Sequence, residues 1–209
     1  MPYAWILVAL VMLLLCSEGT GWRPGVWLTK PLASATFVAL ALQLGARNTE
    51  YGLWIAAGLT ACWLGDVLLI PSHKVAFKAG IVAFLIGHLL YSMAFLVHGV
   101  AFEWAILAAV PLGVVAWVIG RRLLESTDSG LRKPVAAYVL VISWMLALGI
   151  GAWAQSGAPV FLAGPAAFYA SDLAVARNRF LRPGFVNRLV GLPLYYAAQA
   201  LFAWSVTLG

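Results

Sequence analysis

Apolar residues occur along this chain in long continuous runs and not at alternating positions. Eight runs reach about 16 to 24 residues, against the ~20 that a helix needs to cross a bilayer. They lie approximately at 3–17, 30–46, 51–70, 76–98, 101–120, 134–154, 159–176 and 189–207. Helix breakers such as Pro24, Pro71 and Gly157 fall between the runs, and Pro134 opens the sixth. The pattern predicts an all-α polytopic membrane protein, a bundle of about eight transmembrane helices.

The composition supports this class. Hydrophobic residues make up 64% of the 209 residues and charged residues 10%, whereas soluble domains have about 25% charged residues. A transmembrane β-barrel would show short alternating segments, and these runs are continuous and rich in Ala and Leu. Because the runs cover nearly the whole length, we expect one integral membrane domain over residues 1–209. Both cysteines, Cys16 and Cys62, lie in apolar runs, which indicates neither a disulfide framework nor a metal site.

Basic residues are distributed very unevenly between the loops. Of the 13 Lys and Arg residues, all except Arg47 lie in or next to the loops that follow the first, third, fifth and seventh runs. The positive-inside rule then places those loops in the cytoplasm and both termini on the non-cytoplasmic side. Because membrane topology accounts for the basic residues, the net charge of +6 does not indicate nucleic-acid binding. We expect a bacterial inner (plasma) membrane protein whose site lies near the cytoplasmic leaflet; the oligomeric state is left open.

Two aspartates, Asp66 and Asp172, lie inside apolar runs. A carboxylate at membrane depth costs roughly 2.5 kcal/mol or more, so it is normally buried in protein, protonated or facing water. At 1.5 Å per residue, each aspartate lies about 6–8 Å below the predicted cytoplasmic end of its helix. The two carboxyl groups are therefore expected at matching depth.

Other polar residues are expected near that level or on shared helix faces. Lys30 opens the second run from the same side, and residues three or four apart, such as His88 and Tyr91, share a face. The predicted substrate-binding residues are Lys30, His88, Tyr91, Arg177, Asn178, Tyr195, Tyr196 and Gln199.

Paired carboxyl groups in a low-dielectric pocket divide acid and base roles between them. This suits hydrolysis of an acid-labile ether or acetal through an oxocarbenium-like transition state, and it also suits intramembrane proteolysis or a proton-coupled transporter of a small or lipidic solute. A structural alternative is that Asp66 pairs with Lys30 and Asp172 with Arg177, with His88 a packed core residue. Ser171 lacks a Gly-x-Ser-x-Gly context, and the histidines show no ligand spacing with the carboxylates, so no metal or cofactor is predicted.

Five short motifs together resemble one known family. They are Lys30-Pro-Leu32, Trp63-Leu-Gly-Asp66, Phe84-Leu-Ile-Gly-His-Leu-Leu-Tyr91, Tyr169-Ala-Ser-Asp172 and Leu192-Pro-Leu-Tyr-Tyr-Ala-Ala-Gln199. In this order and spacing the chain resembles the YhhN-like lysoplasmalogenase family over essentially its whole length. The resemblance implies an enzyme that hydrolyses the vinyl ether bond of a lysophospholipid, a lysoplasmalogen, to a fatty aldehyde and a glycerophospho-ethanolamine or -choline. It also implies that Asp66 and Asp172 are the essential aspartates.

Overall fold

The computed structural model describes residues 2–209, which form eight α-helices and no strand. They are α1 (Pro2–Thr20), α2 (Arg23–Gln43), α3 (Glu50–Leu68), α4 (Lys74–His98), α5 (Phe102–Glu125), α6 (Ser129–Ser156), α7 (Val160–Ala176) and α8 (Phe185–Ser205). Seven of them are long and apolar enough to cross a membrane. The exception is α7, whose 17 residues lie at the lower limit for a span and continue into a π-helical turn, Arg177–Leu181. The predicted all-α polytopic bundle is confirmed.

The two helices that begin furthest ahead of their predicted starts are α2 and α6. Pro24 lies in the first turn of α2. The N–H groups of that turn have no intrahelical partner, so a proline, which lacks an N–H, is compatible with the start of the helix. Pro134 lies in the second turn of α6 and removes only one intrahelical hydrogen bond there. As a result, the predicted polar loop 125–130 shortens to residues 126–128, and Lys30 lies two turns inside α2.

Six of the helices form a closed ring. Contacts run in the order α2, α3, α4, α6, α7 and α8, and α8 returns to α2. The other two helices lie outside this ring: α1 packs on α2 and α8, and α5 packs on α6. Large apolar side chains of α5, including Ile106, Val110 and Trp117, are therefore exposed, as expected of a face that meets lipid.

The contact between α3 and α4 depends on glycine. A Cβ atom at Gly87 would lie 2.7 Å from the Cys62 sulfur and 3.3 Å from the Gly58 carbonyl oxygen. A side chain at this position would push the helices apart. Gly87 directly precedes His88, and the close approach therefore fixes where the imidazole enters the bundle.

Candidate active site

A cavity of about 390 Å³ lies at one end of the ring. We call this the basic end, because it contains the connections after α1, α3, α5 and α7, where the Lys and Arg residues concentrate. Five of the predicted site residues line the cavity, namely Lys30, Asp66, Asp172, Asn178 and Tyr195. The two aspartates thus face one common space, whose remaining walls are mainly aliphatic and aromatic.

Asp66, near the end of α3, is held by three neighbours. Its Oδ1 lies 3.2 Å from Lys30 Nζ. Its Oδ2 accepts hydrogen bonds of 2.6 Å from the Ser34 hydroxyl of α2 and of 2.6 Å from the Tyr195 hydroxyl of α8. The side chain is only 4% exposed, and its charge is compensated inside the protein, as a buried carboxylate requires. The ion pair expected in the structural alternative is therefore present at Asp66.

Asp172, in the last turn of α7, has a different environment. Its Oδ2 accepts a 2.6 Å hydrogen bond from the Tyr138 hydroxyl of α6, and His88 Nε2 lies 3.7 Å from the same oxygen. Among residues 2–209 no Lys or Arg forms an ion pair with it. Arg177, the expected partner in the structural alternative, is exposed and donates to Asn187 Oδ1 at 3.1 Å. Asp172 therefore lies against the cavity without a fixed cation.

His88 lies behind Asp172 and does not line the cavity. Its Nδ1 is 2.6 Å from the Phe84 carbonyl oxygen, which can only accept, so Nδ1 carries a hydrogen. The other nitrogen, Nε2, faces Asp172 and has no hydrogen-bond partner among the described residues. The ring packs against Tyr138 and Phe168, at centroid distances of 5.1 Å and 4.5 Å. His88 thus contacts both Asp172 and the tyrosine that donates to it.

The remaining predicted residues lie deeper in the bundle or at its rim. Tyr91 donates a 2.6 Å hydrogen bond to Gln199 Oε1, which joins α4 to α8, and neither side chain lines the cavity. Tyr196 does not line the cavity, and its hydroxyl oxygen lies 3.2 Å from that of Ser34. Asn178 lines the rim, and its Oδ1 accepts from the Gly184 N–H at 2.9 Å. These residues support the helices around the cavity more than they face its interior.

Sequence reasoning missed two residues that hold the carboxyl groups. Ser34 lies one helical turn after Lys30, a spacing that signals a shared face. Tyr138 is the first hydroxyl-bearing residue of the sixth apolar run, and its only signal is a depth comparable with that of Asp172. Ser171, which lacks the sequence context of a nucleophile, joins α7 to α8, since its hydroxyl donates to the Gly191 carbonyl oxygen at 2.9 Å.

The rim of the cavity is basic. Arg188 pairs with Glu18, and Arg23 donates to the Ile70 carbonyl oxygen at 3.0 Å. The Arg179 guanidinium lies 4.2 Å from the centre of the Phe77 ring, within the range of a cation–π contact. All three arginines line the cavity, so a molecule inside it would meet positive charge at this end.

Fold and site together define a helical membrane protein with an acid-containing cavity at one end of the bundle. The model of the YhhN family matches residues 25–206, and the chain belongs to that family. The matched segment contains the whole ring except the first residues of α2, and both cavity aspartates.

Several relatives with assigned names are similar over most of the chain. Lysoplasmalogenase TMEM86B of Sus scrofa is 28% identical over 99% of this chain and 85% of its own length. Lysoplasmalogenase TMEM86A of Bos taurus is 27% identical over 93% and 82%, and lysoplasmalogenase TMEM86B of Rattus norvegicus is 31% identical over 80% and 67%. No solved structure matches the chain.

Proposed function

We propose that this protein hydrolyses the vinyl ether bond at the first glycerol carbon of a lysoplasmalogen, releasing a fatty aldehyde and a glycerophospho-ethanolamine or -choline. The observation that carries the proposal is that Asp66 and Asp172 line one mainly apolar cavity at the basic end. The relatives named lysoplasmalogenase support the same reaction. In this proposal residues 1–209 act as a single membrane domain at the cytoplasmic leaflet of the bacterial inner membrane.

Asp172 is the proposed proton donor. Its side chain is 17% exposed, compared with 4% for Asp66, so it is the carboxyl group that a bound substrate reaches more easily. The Tyr138 hydroxyl occupies Oδ2, whereas Oδ1 accepts no hydrogen bond from residues 2–209 and can carry the transferred proton. Without a fixed cation, the protonated form avoids an uncompensated charge in an apolar wall.

Asp66 is the proposed site for the attacking water. In this proposal it acts as a carboxylate, to which Lys30, Ser34 and Tyr195 all donate. A carboxylate offers about four lone-pair positions, so one remains for a water molecule. The fixed negative charge also stabilises the oxocarbenium ion that forms beside it.

The proposed reaction consumes one water and returns both aspartates to their starting states. Asp172 gives its proton to the outer alkene carbon, and the C=C electron pair forms the new C–H bond, leaving an oxocarbenium ion. Water adds to the carbon attached to oxygen and passes one proton to Asp66, giving a hemiacetal. The bond to the glycerol oxygen then breaks, that oxygen takes the proton from Asp66, and Asp172 recovers its proton from the hemiacetal hydroxyl.

Recognition of the headgroup is assigned to the basic rim. Lys30 retains two N–H donors beyond its contact with Asp66, and Arg179 is oriented by the Phe77 ring. Both can donate to a phosphate that enters from the membrane surface. Arg177, which the sequence predicted for this role, belongs to the same π-helical turn but does not line the cavity. In this proposal it attracts the phosphate of the zwitterionic headgroup to the rim and does not contact it inside the cavity.

Aldehyde release by the purified protein tests the proposal. The protein in detergent receives a lysoplasmalogen, the matching saturated-ether lysolipid or the matching acyl lysolipid. We expect aldehyde from the vinyl ether alone, because only an alkene carbon can accept the proton that starts the reaction. Absence of aldehyde, or equal turnover of the acyl lipid, would contradict the proposed reaction. Proton-driven solute uptake by vesicles lacking any hydrolysis would favour the transporter alternative.

The Tyr138→Phe substitution tests how Asp172 is oriented. It removes the hydroxyl that donates to Oδ2, and we expect kcat/KM for aldehyde release to fall about tenfold or more, the size of effect seen when catalytic geometry loosens. The matched control is Tyr51→Phe, since Tyr51 makes a 2.6 Å hydrogen bond to Ser205 away from the cavity. Equal activity losses in the two variants would mean that the Tyr138 hydroxyl acts only through stability.

A further inference from the structure

The cavity extends through the wall of the helix ring. α5 lies outside the ring and packs on the outer side of α6. Nevertheless, Ile119 and Leu123 of α5 line the same cavity as Asp66 and Asp172 inside the ring. The cavity therefore passes between two neighbouring ring helices to reach α5. Phe77 and Ile81 of α4 also line it, which identifies the gap between α4 and α6 as the passage.

The two edges of this passage are visible as contacts between α4 and the start of α6. At the rim, Lys74 Nζ lies 3.1 Å from Asp128 Oδ2, and both side chains are largely exposed. Further into the bundle, the His88 and Tyr138 rings meet at 5.1 Å. Between these edges, apolar side chains line the cavity and do not fill the space. We call this opening the α4–α6 portal; it is lined by Phe77, Ile81, Ile119, Leu123, Val135 and Val139.

We propose that the α4–α6 portal binds the hydrocarbon chain of a single-chain lipid and admits that lipid sideways from the bilayer. This rests on the proposed function, and it adds the route and the position of the chain. All six lining side chains are apolar, so the portal offers its contacts to a hydrocarbon chain. A cation is met only at the rim, where Arg179 lies on the Phe77 ring. Among the helices described, α5 packs extensively on α6 and makes no comparable contact with α4, so the outer side of the portal faces lipid between α4 and α5.

The position of the portal also fits the chemistry. Its inner edge is formed by Tyr138 and His88, the two side chains next to Asp172. A chain lying in the portal therefore ends beside Asp172, with the headgroup directed to the arginines of the rim. This orients the bond to be cleaved, which joins the chain to the headgroup.

A steric block tests the portal. Ile81→Trp fills it, and the matched control Val82→Trp adds the same side chain one residue away on the exposed side of α4, where Val82 is 48% exposed. The substrates are lysoplasmalogens with one headgroup and either a hexadecenyl or a butenyl chain. We expect Ile81→Trp to lower kcat/KM for the long chain about tenfold more than for the short chain, as misfit in an apolar pocket does. Val82→Trp should change neither.

Equal losses for both chains in Ile81→Trp, or no loss, would overturn the portal. If the wild type releases no aldehyde from either chain, the proposed reaction fails, and the portal is tested separately. Binding of the non-hydrolysable hexadecyl ether lysolipid should then weaken in Ile81→Trp and not in Val82→Trp; unchanged binding contradicts the portal. If Ile81→Trp does not fold, Ile119→Trp with the exposed control Val118→Trp takes its place from the α5 side, with the same outcomes.

Discussion

Replacing Asp172 by asparagine is expected to lower kcat/KM for aldehyde release from a lysoplasmalogen by roughly a hundred- to ten-thousand-fold, the contribution of a general acid. The amide oxygen of Asn can still accept the 2.6 Å hydrogen bond from Tyr138, so the local structure is retained. What the amide lacks is a proton that it can transfer to carbon. The loss should therefore appear in kcat, with the binding of a saturated-ether lysolipid little changed.

The matched control for this experiment is Glu125→Gln. Glu125 is the last residue of α5 at the same end of the bundle, is exposed and does not line the cavity, and surface substitutions of this kind change stability little. Both variants should unfold in detergent at nearly the wild-type temperature, and only Asp172→Asn should be inactive. Near-normal turnover by folded Asp172→Asn would remove this residue from the chemistry and leave it a structural role.

The depth of the two aspartates could be predicted from sequence because helix rise converts residue number directly into distance. Their lateral neighbours could not. Tyr138 reaches Asp172 because α6 lies between α4 and α7 in the ring, whereas α5, its neighbour in sequence, lies outside. All eight runs are apolar, and hydropathy alone contains no signal for this order. For the same reason the sequence suggests as the ion-pair partner of Asp172 only Arg177, five residues further along the same helix.

Helix boundaries show a related limit. The sequence predicts Pro24 between two runs and Pro134 as the first residue of the sixth run, whereas in the structure they lie in the first turn of α2 and the second turn of α6. A proline marks the start of a helix as readily as its interruption, and single-sequence patterns do not distinguish the two. The consequence is functional, because the earlier start of α2 puts Lys30 inside the bundle, where it can reach Asp66.

The pair formed by Asp66 and Lys30 raises the question of whether Asp66 acts in catalysis or only in stability. Replacing Lys30 by methionine leaves a carboxylate that is 4% exposed without its cation. Breaking a buried pair in this way typically costs about 3–5 kcal/mol. We therefore expect Lys30→Met to unfold in detergent at a clearly lower temperature than the wild type and to lose activity as well. This single variant does not separate a catalytic role of Asp66 from a structural one.

The double variant Lys30→Met/Asp66→Asn separates them. It removes both charges, while the asparagine can still accept hydrogen bonds from Ser34 and Tyr195, so most of the stability lost in Lys30→Met should return. If Asp66 holds the attacking water, the recovered protein remains inactive in aldehyde release, because a neutral amide neither takes the proton of water nor stabilises an oxocarbenium ion. A double variant that regains stability and turnover together would assign Asp66 to the structure of the bundle, and Asp172 would then be the one carboxyl group that the reaction requires.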